Sequence, residues 1–256
     1  MTNDAGVLDP CLREPGPARE SGVPVVDRWR ECRNLPEDHP QKLAEFLHRQ
    51  MNEEANVMEN AARSLVDFAD EPWEIRLGLA RQCSDEARHV MAYRRALDVR
   101  GVPVGAYPVM NFQFKILKAI DTLVGRLAVQ NRTFEADGLD AAVFAVADAR
   151  ARGEDDLADM YDAQSADEIL HVRFANEWIK RTVRREPRAV MQIARALTFG
   201  SAVFHQVMSD GGTDQAKYPV AEEARRLAGF EEGEVRVAVE QAEARRAEIR
   251  DRLGAG

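Results

Sequence analysis

Apolar residues recur at alternating intervals of three and four from about Asp38 to Pro187, and this periodicity confines the chain to packed α-helices. Leu43, Leu47, Gln50, Glu54, Val57, Ala61 and Leu65 share one face of a first helix. It stops at Asp70-Glu71-Pro72, where Pro72 suits the first turn of the next helix. That second helix carries Leu79, Gln82, Glu86, His89, Tyr93 and Leu97 inward and runs to about Arg100. Gly101 ends it. Val102–Asn111, with Pro103, Gly105 and Pro108, is expected to cross in non-helical form over as much as ~30 Å. A third helix from near Phe112 places Leu117, Asp121, Val124, Ala128, Asn131 and Glu135 together and is expected to continue through Gly138, kinked there. A fourth aligns Leu157, Tyr161, Gln164, Glu168, His171, Ala175 and Trp178 and ends before Pro187. Further helices are expected at about 187–208, 220–229 and 232–253, and no stretch alternates as a strand would. The pattern predicts an all-α fold: a four-helix bundle with a long crossover over residues 38–185. An extended N-terminal arm (1–37) and C-terminal helices (186–256) are expected to pack on it as one domain.

Carboxylates interrupt those inward faces. Glu86-Ala-Arg-His89 and Glu168-Ile-Leu-His171 each set a Glu and a His three apart, on one side of a helix, where both can reach the same ion. Glu54 and Glu135 stand alone on the apolar faces of the first and third helices, a costly placement unless the charge is paired, protonated or bound to metal. Their spacing is matched: Glu54 precedes Glu86 by 32 residues, Glu135 precedes Glu168 by 33. In antiparallel hairpins turning near Asp70 and near Arg152-Gly153, both Glu pairs lie ~24 Å from their turns. The halves repeat, with offsets of 81 residues (54 to 135) and 82 (86 to 168, 89 to 171). Two helices giving one Glu each, and two giving Glu-x-x-His, form the ligand set of a di-metal carboxylate site. Oxygen and imidazole donors suit Fe, or Mn with Fe, better than Zn, which more often recruits Cys. Glu45-Phe-Leu-His48 has the same spacing, but its Glu and His miss the apolar face and are read as coincidence.

Asp85 and Asp167 precede the motif Glu residues and can accept a hydrogen bond from a histidine's non-ligating nitrogen, or lie on the helix surface. Gln50, Gln82, Asn131 and Gln164, one turn before each Glu, are read as lining a polar pocket or as polar core packing. Tyr93 is read as a core residue or an electron relay. Net charge is −9, which disfavours a nucleic-acid partner. Cys11, Cys32 and Cys83 have no ligand spacing and cannot all pair, as expected of free thiols in a reducing cytoplasm. The N-terminus lacks an export pattern and no apolar run matches a membrane span.

With these residues in view, the chain resembles the ferritin-like superfamily of di-iron carboxylate proteins. The segments HRQMNEEANVMENAARSL, QCSDEARHVMAYRRAL, LAVQNRTFEADGLD and DEILHVRFANEWI are most similar to a bacterial branch catalogued as ferritin-like domain of unknown function 455, over most of residues 27–230. The resemblance implies a ferritin-like bundle with Glu54, Glu86, His89, Glu135, Glu168 and His171 as metal ligands; Glu53 is the adjacent alternative to Glu54. It also implies an oxygenase or oxidase using two Fe ions and O2 on a small organic substrate, with an external electron donor, as a monomer or homodimer. Two other activities of the superfamily compete with this expectation: a ferroxidase of iron storage, and a tRNA-modifying hydroxylase. Storage needs a shell of many subunits, which the long chain ends would obstruct, and the charge of −9 counts against tRNA.

Overall fold

A computed structural model of the protein describes residues 11–20, 22–32, 34–208 and 218–254, with side chains through 247. Its helices are α1 (Lys42–Asp67), α2 (Trp73–Val99), α3 (Phe112–Lys118), α4 (Leu123–Val129), α5 (Ala136–Ala151), α6 (Asp155–Arg185), α7 (Ala189–Met208), α8 (Glu222–Leu227) and α9 (Glu232–Gly254). A π-helical segment, Gln130–Glu135, joins α4 to α5. The fold is all-α, as the periodicity predicts, apart from two-residue strands β1 (Val25–Val26) and β2 (Val109–Met110), too short to show alternation. The chain divides into two compact units, one within 1–126 and 190–211, the other within 127–189 and 212–256.

In the first unit, α1 and α2 form a hairpin whose inner faces bury Leu47, Val57, Ala61, Ile75, Leu79 and Leu97. The non-helical crossover after α2 is pinned along α1. The Gly105 amide donates to His48 Nε2 at 2.8 Å, Asn52 Nδ2 donates to the Met110 carbonyl at 2.8 Å, and Asn56 Oδ1 accepts from the Phe114 amide at 3.2 Å. Gly105 sits at φ +93, and a Cβ there would meet the Gly22 carbonyl oxygen at 3.2 Å, so only glycine suits the position.

The described part of the N-terminal arm lies against this crossover. β1 pairs in parallel with β2 through Val25–Val109 and Val26–Met110. Lys115 Nζ donates to the Leu12 carbonyl and to Asp27, and Arg19 reaches Asn52 and Glu59 of α1. Cys11, Leu12 and Trp29 are buried. The described residues of the arm are therefore draped over this unit; residues 1–10, 21 and 33 lie outside the described residues.

Docking of the arm and crossover explains two departures from the sequence pattern. Glu45 and His48, read as missing the core, are 1% and 0% exposed, because these segments cover that flank of α1. Glu45 pairs with Arg49 at 2.7 Å and with Lys42 at 3.5 Å. Arg49 stacks on Trp29, and the His48 ring meets Tyr107 edge to face. Burial lowers the His48 pKa and keeps the ring neutral. The third expected helix is also interrupted: it breaks at 119–122, which leaves Asp121 exposed instead of on the inner face.

The second unit pairs α5 with α6 across a turn at 152–154, where Gly153 adopts φ +73. α5 runs through Gly138 as continuous α-helix; the distortion expected there is the π segment just before it. Ala136, Leu139 and Val172 pack with Ala221, Ala224 and Ala228 of the C-terminal segment. Arg225 anchors that contact. Its Nε and Nη2 bond Asp140 at 3.0 and 2.7 Å, and Nη2 also reaches Asp137. All three expected C-terminal helices are present as α7, α8 and α9.

Candidate metal centre

Each hairpin carries a triad of buried ligand residues. In the first unit, Glu54 projects from α1, and Glu86 and His89 from α2, all less than a tenth exposed. His89 Nδ1 is 2.9 Å from Glu86 Oε2 and 3.3 Å from Glu54 Oε2. Burial opposes charge on His89, but the hydrogen bonds and negative charge of Glu54 and Glu86 outweigh it and push its pKa up to about 11. His89 is therefore protonated at neutral pH between the two carboxylates.

The second unit repeats the arrangement. Glu135 closes the π segment, and Glu168 and His171 lie on α6, again buried. His171 Nδ1 is 3.6 Å from Glu168 Oε2. Within each triad, one donor atom per residue lies within 4.8 Å of the others. Ligands at about 2.1 Å from a common ion fall within that span. The donors are carboxylate oxygens and imidazole nitrogens with no thiolate, a set that fits Fe or Mn. These buried groups can hold a metal ion.

Asn131 and Gln164 bond to triad carboxylates. Asn131 Nδ2 donates to Glu135 Oε2 at 3.0 Å, and Gln164 Nε2 to Glu168 Oε1 at 3.5 Å. Each holds one carboxylate oxygen in place. Gln82 is buried on the same side of α2, while Gln50 is half-buried and donates to Glu53, away from Glu54. Burial pushes the Glu53 carboxyl up to about 7, against the pull of Arg49. Of the two neighbours, Glu54 is the one at hydrogen-bond distance from His89. Asp85 is buried and accepts from Arg88 on its own helix; Asp167 is half-buried. Tyr93 is buried one turn beyond His89, and Cys83 is a half-buried free thiol outside the triads. Sequence periodicity did not single out Arg132, whose contacts lie far along the chain and have no local signature.

The protein is thus all-helical, with buried carboxylate–imidazole triads on helical hairpins that could hold a metal ion. A family model described as a protein of unknown function, DUF455, matches residues 5–236. The chain belongs to that family. No curated protein and no solved structure matches it. Among the described residues, no helix is long and apolar enough to cross a membrane.

Proposed function

We propose that the two triads hold two iron ions, as in ferritin-like di-iron proteins, and that the protein is an O2-dependent oxidoreductase acting on a small organic substrate. Two buried, thiolate-free Glu/Glu/His triads carry this reading. Their matched spacing in a duplicated hairpin supports reading them as one ligand set. Glu54, Glu86, His89, Glu135, Glu168 and His171 would be the ligands; a Mn/Fe pair suits the same donors. When bound, the metals supply O2 reduction and oxidation of the substrate, with electrons from an external donor. The chain's part is to orient the ligands through Asn131 and Gln164, to surrender the His89 proton as metal enters, and to exclude water by burial. Cytoplasmic residence and a monomeric or dimeric state belong to the same reading.

Anaerobic Fe(II) titration should saturate at two equivalents per chain, and O2 should then produce a transient visible absorption. Glu86→Ala and Glu168→Ala should each abolish the transient. Iron that fails to bind, or binds and is inert to O2, would overturn the proposal. Elution of the native protein as a large shell would favour iron storage instead.

A further inference from the structure

The π segment Gln130–Glu135 places its residues against two different surroundings. Asn131 and Glu135 face the buried triad, where Asn131 Nδ2 donates to Glu135 Oε2 and also approaches the His171 carbonyl at 3.4 Å. Arg132, between them in sequence, turns the other way. Its guanidinium donates to Asn176 of α6 and to Glu234 of α9, and lies 4.7 Å from the centre of the Phe230 ring. Asn176 is tied in turn to the loop before α9, donating from Nδ2 to the Ala228 carbonyl at 2.9 Å.

A π turn is a departure from the preferred helix and persists where its surroundings hold it. Inside the segment, Thr133 Oγ1 caps the Ala128 carbonyl at 3.0 Å. From outside, the charged contact of Arg132 with Glu234 does the holding. If the segment relaxed to α geometry, Glu135 would rotate relative to the preceding helix by about one residue, ~100°. That rotation would carry its carboxylate away from Glu168 and His171.

We propose that Arg132 is a positioning residue: braced by Asn176, Phe230 and Glu234, it holds the π turn that aims Glu135 at its metal, so the C-terminal segment sets the affinity of that ion. The proposal rests on the metal reading above, and two measurements separate the two. Amide exchange of the metal-free protein reads the brace alone, and anaerobic Co(II) titration followed by visible absorption reads its consequence.

In Arg132→Ala and Glu234→Gln, exchange should quicken over 130–136 while the α1–α2 hairpin stays protected. One of the two Co(II) ions should bind about 10–100-fold more weakly. Arg132→Lys, which keeps the charge but not the planar fork, should recover part of that affinity. Unchanged exchange over 130–136 overturns the brace. Faster exchange with both ions bound at wild-type affinity overturns the positioning role. A wild-type protein that takes up no Co(II) overturns the metal reading and the positioning role together. Should Arg132→Ala fail to fold, Glu234→Gln, at a partly exposed site, gives the same three readings.

Discussion

Removing Asp140 tests how firmly the C-terminal segment is attached. Its carboxylate accepts from the Ala221 amide at 2.9 Å and from Arg225 Nε and Nη2, and both side chains of the pair are buried. Asp140→Ala leaves the guanidinium with the Asp137 carboxylate, 3.0 Å away and with a side chain 56% exposed, and with the Phe230 ring 5.3 Å away. Breaking a buried ion pair from one side costs roughly 3–5 kcal/mol, and the remaining Asp137 contact places this case near the lower end. At about 2–4 °C per kcal/mol for a chain of this size, a loss of ~3 kcal/mol lowers Tm by roughly 6–12 °C. The assay is thermal unfolding by circular dichroism, paired with amide exchange over 218–235, which should lose protection first. Arg225→Met in the Asp140→Ala background should recover part of the loss, because the stranded charge is gone. An Asp140→Ala protein destabilised by less than about 1 kcal/mol, or a double variant as damaged as the two single losses added, would refute the reasoning.

Other consequences follow from charge and backbone. His89 has a folded pKa of about 11 against roughly 6.5 unfolded. Its contribution to the metal-free protein is complete below about pH 6.5 and is lost as pH rises through 11, so Tm should fall between about pH 7 and pH 10. His89→Gln should flatten that slope; an equally steep slope in the variant would contradict it. His48 is shifted the other way by burial, so its contribution is present above about pH 6.5 and lost on acidification. Protection of the Gly105 amide, taken relative to its intrinsic exchange rate, should drop on acidification, and protection that persists would count against a neutral His48 acceptor. Gly105→Ala should cost about 1–3 kcal/mol through the positive φ and the close Gly22 carbonyl, read as a shift in denaturant midpoint.

Glu54, Glu86, His89, Glu168 and His171 were legible as buried residues because each lies on the inner face of a long, regular helix, where spacing alone decides burial. Leu79, Gln82, Glu86, His89, Tyr93 and Leu97 all emerge buried on α2, as do the seven inward positions of α6 from Leu157 to Trp178. Glu45 and His48 were not legible. What buries them is chain from before and after α1, and one helix's periodicity carries no record of that. The π segment escaped for a different reason. Asn131 and Glu135 are four apart, a separation that keeps two residues together in either helix type, so the sequence pointed to a kink at Gly138 instead. Asp121 shows the limit of extending one phase across a break at 119–122.

The parallel pairing of β1 with β2 has a consequence for synthesis. Lys115 and Leu12, which touch in the finished protein, stand 103 positions apart, and β1 has no partner strand until Val109 has been made. At roughly 5–20 residues per second, several seconds separate the emergence of the arm from that of its seat. The arm thus leaves the ribosome well before the segment it docks on. In the interval Leu12 and Trp29 remain open to water and to any chaperone waiting at the tunnel mouth.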